Sequence, residues 1–168
     1  GCYGYKRKTS PSIDRFASDA ILFKDAVSQG SDTQTSVFSF LTSTYPSEFC
    51  RNFKENWVYA SRPNSWVKIL KRNGYKTALI TDSLEVGQIF KMGQLRNDFD
   101  VFRQTECNNA STVTSEALSF LSKKPGKFFL YLHYFGVHYP YAPSEPYFSD
   151  FIKDDLNETD KTIRIAED

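Results

Sequence analysis

"NSWVKILKRNGYKTALITD", residues 64–82, decides the fold class. Asn64 or Ser65 can cap a helix, and Trp66, Val67, Ile69 and Leu70 supply its apolar positions. Lys71 and Arg72 fill its last turn, where cations offset the helix dipole, and Gly74 is a natural stop. The run 76–82 then changes period: Ala78, Leu79 and Ile80 are consecutive apolar residues of strand length. A helix feeding directly into a buried strand is the repeating unit of an α/β layer protein.

The rest of the chain repeats that unit. Ser10-Pro11 opens a helix, with Ser10 as N-cap, Pro11 at the first position and Asp14 in the first turn. Residues 20–29, "AILFKDAVSQ", read as a strand running into a polar loop. Residues 34–43 form a helix that Tyr45-Pro46 stops. Residues 98–104 suit a short edge strand, and 111–126 a helix ended by Pro125-Gly126. "KFFLYLHYF", 127–135, is apolar almost throughout, as expected of a strand covered on both faces. The predicted architecture is α/β, a mostly parallel sheet sandwiched by helices. Ligands then belong beyond the carboxyl ends of the strands. Two of those ends, 28–33 and 133–140, are rich in polar groups.

Composition narrows the function classes. The chain has 168 residues, 40% hydrophobic and 16% aromatic, with 15 Phe and 10 Tyr. That is enough for one packed core. Lys plus Arg is 21 against 20 Asp plus Glu, a net charge of +1. Such a balance gives no electrostatic reason to expect nucleic acid or an anionic membrane as partner. No apolar run approaches the roughly 20 residues of a membrane span. The three cysteines, Cys2, Cys50 and Cys107, match no zinc spacing, and an odd number cannot all pair within one chain. Free thiols favour a reducing compartment, so a cytoplasmic location is expected. The sequence starts at Gly1 and its only methionine is Met92, so a piece of a longer protein is expected.

The chemistry is concentrated in "SQGSDTQTSVFSFLTSTYP", residues 28–46. A hydroxyl at a helix N-terminus meets unpaired N–H groups and the positive end of the dipole. That setting binds sulfate or phosphate and stabilises an attacking alkoxide. It also suits simple capping by Asp32, Thr33 or Thr35, and residue spacing does not separate the two roles.

Four segments in series resemble the sulfatase family of the alkaline phosphatase superfamily. They are "GCYGYKRKTSPSIDRFASDAILFKDAVSQ" (1–29), "TQTSVFSFLTSTYP" (33–46), "WVKILKRNGYKTALI" (66–80) and "KFFLYLHYFGVHYPYAPSEPY" (127–147). The resemblance spans residues 1–147 and implies an alkaline-phosphatase-like sheet. It places Thr33 on the family's nucleophile, where sulfatases proper carry Cys or Ser that is oxidised to formylglycine. Threonine cannot be that precursor, but it is the nucleophile of related phosphoryl-group enzymes. Ser36 matches the motif's serine, expected to help bind substrate, whereas Thr35 replaces a proline and Val37 an arginine. His138 matches the anion-contacting histidine and would also protonate the leaving group. His133 reads as a partly buried core residue. The family's G-K-W-H segment has no counterpart in "TDSLEVG" (81–87), where Asp82 reads as a turn residue, or at most a weak ligand.

The resemblance also implies a divalent metal in the complete protein, Ca²⁺ first, with Zn²⁺ or Mn²⁺ as alternatives. Of its ligands only Thr33 would lie here, so no metal is expected to be held by these residues alone. Residues 1–168 are expected to be a partial catalytic domain, lacking its first strand and its C-terminal part, and inactive alone. The function implied is metal-dependent hydrolysis of small sulfate or phosphate esters. A phosphoglycerol or phosphoethanolamine transferase, or a non-catalytic member that binds an anion or a partner, is the alternative. A missing first strand would leave the strands 20–29 and 76–82 with an unpaired edge, favouring self-association.

Overall fold

A computed structural model describes residues 1–51, 58–59, 64–92, 95–106, 109–139 and 149. In chain order the elements are α1 (Pro11–Ser18), α2 (Thr33–Thr42), α3 (Pro46–Phe49), β1 (Cys50–Arg51), β2 (Val58–Tyr59), α4 (Trp66–Arg72), β3 (Lys76–Thr81), α5 (Leu84–Met92), a 3-10 turn (Leu95–Asp98), β4 (Val101–Gln104), α6 (Ala110–Ser122) and β5 (Phe128–His133). β1 and β2 make a short antiparallel pair. The main sheet is parallel in the order β4-β3-β5. Its register runs from Lys76 opposite Phe128 to Thr81 opposite His133. The fold is the α/β layer arrangement expected, a partial alkaline-phosphatase-like sheet with helices on both faces.

Parallel pairing accounts for the apolar run in β3. Its residues from Thr77 to Thr81 are all buried, because both edges and both faces are covered. One face carries the larger cluster, with Phe38, Leu41, Val67, Leu79, Val86 and Phe90 at its centre. Complete burial of each such side chain stabilises the fold by about 1.5–3 kcal/mol. The opposite face is smaller: Ile80 packs with Val113 and Ala117 of α6, flanked by Leu130 and Leu132. α4 is pinned to this frame by polar contacts. Ser65 Oγ donates to the buried Asp98 carboxylate at 2.5 Å, and Lys71 Nζ meets Asp100 at 2.9 Å. Burial pushes the Asp100 carboxyl up, but bonds from Lys71 and from the Thr77 N–H, with the Lys71 charge, outweigh it and hold it below the usual carboxylate value.

Three expectations change. Residues 20–29 belong to no helix or strand, and Ile21, Phe23 and Val27 are 86%, 72% and 84% exposed. An extended segment becomes a strand only when a neighbour takes its N–H and C=O groups. Among the described residues the sheet ends at β4 and β5, and neither pairs with 20–29. The open edges among the described residues belong to β4 and β5, not to β3, which is paired on both sides. β5 is accordingly only half-buried from Phe129 to His133 although packed on both faces. Third, helix α5 occupies residues 84–92, which carry no predicted helix or strand and overlap the stretch 81–87 read as the turn around Asp82. Ser83 starts it by accepting the Val86 N–H at 3.2 Å, and Val86 and Phe90 bury its inner face.

At the N-terminus, α1 begins at Pro11 as expected, but Ser10 does not cap it through its side chain. Its hydroxyl donates to Asp14 Oδ1 at 3.1 Å, beside the Cys2 N–H at 2.7 Å, so Asp14 ties the first residues onto α1.

Candidate functional site

The start of α2 is organised by Asp32. Its backbone is extended, and its side chain accepts the Thr35 N–H at 2.9 Å. The buried Thr35 hydroxyl donates to the other carboxylate oxygen at 2.8 Å. Asp32 is therefore the cap, and Thr35 is locked against it. Thr33, the first helical residue, is half-buried and is spared that task. No hydrogen bond joins its side chain to another described residue.

Ser36 holds the incoming loop. Its Oγ donates to the Gly30 carbonyl at 2.8 Å, so the Ser28 hydroxyl is the donor in their 2.8 Å contact. The loop lies so close that a Cβ on Gly30 would stand 1.9 Å from Thr35 Oγ1. Only glycine leaves room there. Val37, in the arginine's place, is buried in the larger core cluster.

A cavity of about 460 Å³ opens between this turn and β5, lined in part by Ser28, Ser36, Ser39, Phe40 and Tyr131. The Ser39 hydroxyl is buried without a partner. Tyr131 OH lies 3.3 Å from His133 Nδ1. Burial raises the Tyr131 phenol above its ordinary value. Burial lowers His133 below 6.5, against the opposing charges of Asp82 and Glu85. His133 is thus a half-buried histidine at the end of β5, as anticipated.

His138 stands in the turn after β5 and is exposed. Its N–H donates to the Phe135 carbonyl at 2.8 Å, and its ring stacks on Phe135 at 4.4 Å between centroids and 14° between planes. Nδ1 lies 2.7 Å from the Tyr139 carbonyl, which must accept, so Nδ1 carries a proton and Nε2 is left for a ligand. Among the described residues no hydrogen bond or ring contact joins His138 to Thr33 or Ser36.

Asp82 is the residue whose part the sequence understated. It sits in the turn between β3 and α5, wholly buried, with Oδ1 accepting the Phe135 N–H at 2.6 Å. Oδ2 is buried without a partner. The spacing of Ser83, Val86 and Phe90 could have signalled the helix behind this turn; nothing local signals the bond to Phe135.

The described residues do not make a metal site. No group of three or more His, Cys, Asp or Glu among them could hold an ion, and Thr33 offers a single neutral oxygen. No helix of the described residues is long and apolar enough to cross a membrane. Cys2 is a free thiol. Cys107 and the Cys50 side chain lie outside the described residues, as do Pro140 to Phe148 of the last quoted segment.

Comparison with known proteins agrees with this architecture. Human iduronate 2-sulfatase is 35% identical over 102 residues, 60% of this chain and 18% of that protein. The mouse iduronate 2-sulfatase is 34% identical over 102 residues, 60% of this chain and 17% of that protein. The chain therefore spans less than a fifth of these relatives' length. No solved structure matches. The sequence model of the sulfatase family matches residues 1–166, nearly the whole chain, and the chain belongs to the sulfatase family.

Proposed function

We propose that residues 1–168 are the nucleophile-bearing part of a sulfatase-type catalytic domain that hydrolyses small sulfate or phosphate esters. One observation carries the reading: Asp32 does the capping, which leaves the Thr33 hydroxyl at the N-terminus of α2 without a hydrogen bond to any described residue. Thr33 Oγ1 gives its proton to water and attacks sulfur or phosphorus, forming a new ester bond as the bond to the leaving oxygen breaks. The backbone N–H groups of the first turn and the helix dipole stabilise the oxygens that gain charge. His138 holds its Nδ1 proton on the Tyr139 carbonyl and presents Nε2 to the leaving oxygen, relaying a proton to it from solvent. Water then releases the anion from Thr33. Ser36 supports binding by holding the loop 28–30 beside that turn. With threonine as nucleophile, phosphate mono- or diesters stand beside sulfate esters as substrates. Family membership implies a divalent ion; we assign Ca²⁺ first, with its carboxylate ligands outside the described residues.

The test is release of nitrophenol from its sulfate, phosphate and phosphodiester forms by the complete protein, with Ca²⁺, Zn²⁺ or Mn²⁺ added. Wild type is expected to turn over one class, and Thr33→Ala to lose at least about a hundredfold in kcat. Equal turnover by both proteins contradicts the assignment. No turnover by folded wild type supports a non-catalytic member.

A further inference from the structure

Asp82 is a carboxylate buried to the last ångström, and burial of such a group without full pairing is costly. The local turn does not need it. Ser83 caps α5 through the Val86 N–H, and the Thr81 hydroxyl accepts the Ser83 N–H at 3.0 Å. The hydrogen bond that the Asp82 side chain makes reaches 53 residues along the chain, to the Phe135 N–H. Phe135 in turn carries His138 twice, through its carbonyl at 2.8 Å and through the stacked rings at 4.4 Å. The path from the end of the central strand to the imidazole is thus two steps long, the second made by two contacts, and Asp82 is its fixed end.

We propose that Asp82 is a positioning residue: its carboxylate holds the loop after β5 by the Phe135 N–H and so fixes where the His138 ring stands. The role rests on the reading of His138 as the group that meets the ester. The bond from the Phe135 N–H to the Asp82 oxygen, at 2.6 Å, is short for a loop contact. An apolar side chain at 82 leaves that N–H unpaired and frees the loop. An amide still offers it an oxygen.

The experiment uses the complete protein labelled with ¹⁵N-Phe and ¹³C-His, as wild type, Asp82→Leu and Asp82→Asn. In Asp82→Leu the Phe135 amide is expected to lose its downfield shift and exchange protection, and the His138 ring signals to move with it. Asp82→Asn, which keeps an acceptor but a weaker one, is expected to move both only part-way. If Asp82→Leu does not fold, Asp82→Asn decides: its weaker acceptor shifts the Phe135 amide part-way, and the His138 signals must follow. A Phe135 amide that moves alone, or does not move in folded Asp82→Leu, overturns the proposal. In turnover, kcat is expected to fall by about tenfold or more in Asp82→Leu with KM little changed, and Asp82→Asn to stay within about threefold. Equal losses in both variants overturn positioning in favour of a charge effect. If wild type turns over no ester, the functional reading fails while the resonances still decide what Asp82 holds.

Discussion

Three side chains in succession divide the labour at the start of α2. Asp32 caps, Thr33 bonds to no described residue through its side chain, and Thr35 is bonded back to Asp32. The hydroxyl-rich run alone made each a possible cap, and only the backbone angles and bonds separate them. The fit depends on Gly30, where any Cβ meets Thr35. Gly30→Ala is expected to lower stability by about 1–3 kcal/mol, because loop or helix must shift to admit it. Urea unfolding measures this; an unchanged midpoint would show that the loop gives way freely. His133 supplies a second residue-scale prediction. Its folded value lies below the unfolded 6.5, so the folded state binds fewer protons just below that pH. The neutral ring therefore contributes stability that is lost as pH falls from about 6.5 toward the folded value. His133→Gln should flatten the fall in melting temperature over that window. The Asp100 contribution, lost only as pH drops below 3.8, should remain.

At the scale of elements, segments with their own start and stop signals were legible. α2 has Asp32 before it and Pro46 after it; α4 and β3 are separated by Gly74; α6 ends before Pro125. Each was read within a few residues of its observed bounds. The failures have physical causes. Residues 20–29 have strand-like composition, but pairing is a property of the neighbour, and no described strand lies alongside. α5 is not legible in the sequence because Gly87 interrupts it; burial of Val86 and Phe90 overrides the weak propensity. The link from Asp82 to Phe135 joins groups 53 residues apart, so no local pattern encodes it.

For the whole molecule, the open edge of β5 and the exposed Ile21, Phe23 and Val27 set the behaviour of these 168 residues alone. An apolar edge strand is a template for pairing. Sedimentation of the 168-residue chain is expected to show mass rising with concentration. Phe23→Ser with Val27→Ser should lower it, and a monomer at every concentration would count against an adhesive edge. The measurement closest to the central claim uses the complete protein. It is mixed with the preferred nitrophenyl ester, quenched in acid within the first turnover, and digested for mass spectrometry. The account predicts one sulfo or phospho group on the tryptic peptide 25–51, located on Thr33 and absent from Thr33→Ala. Full turnover with that peptide unmodified, or with the group on another residue, would contradict it.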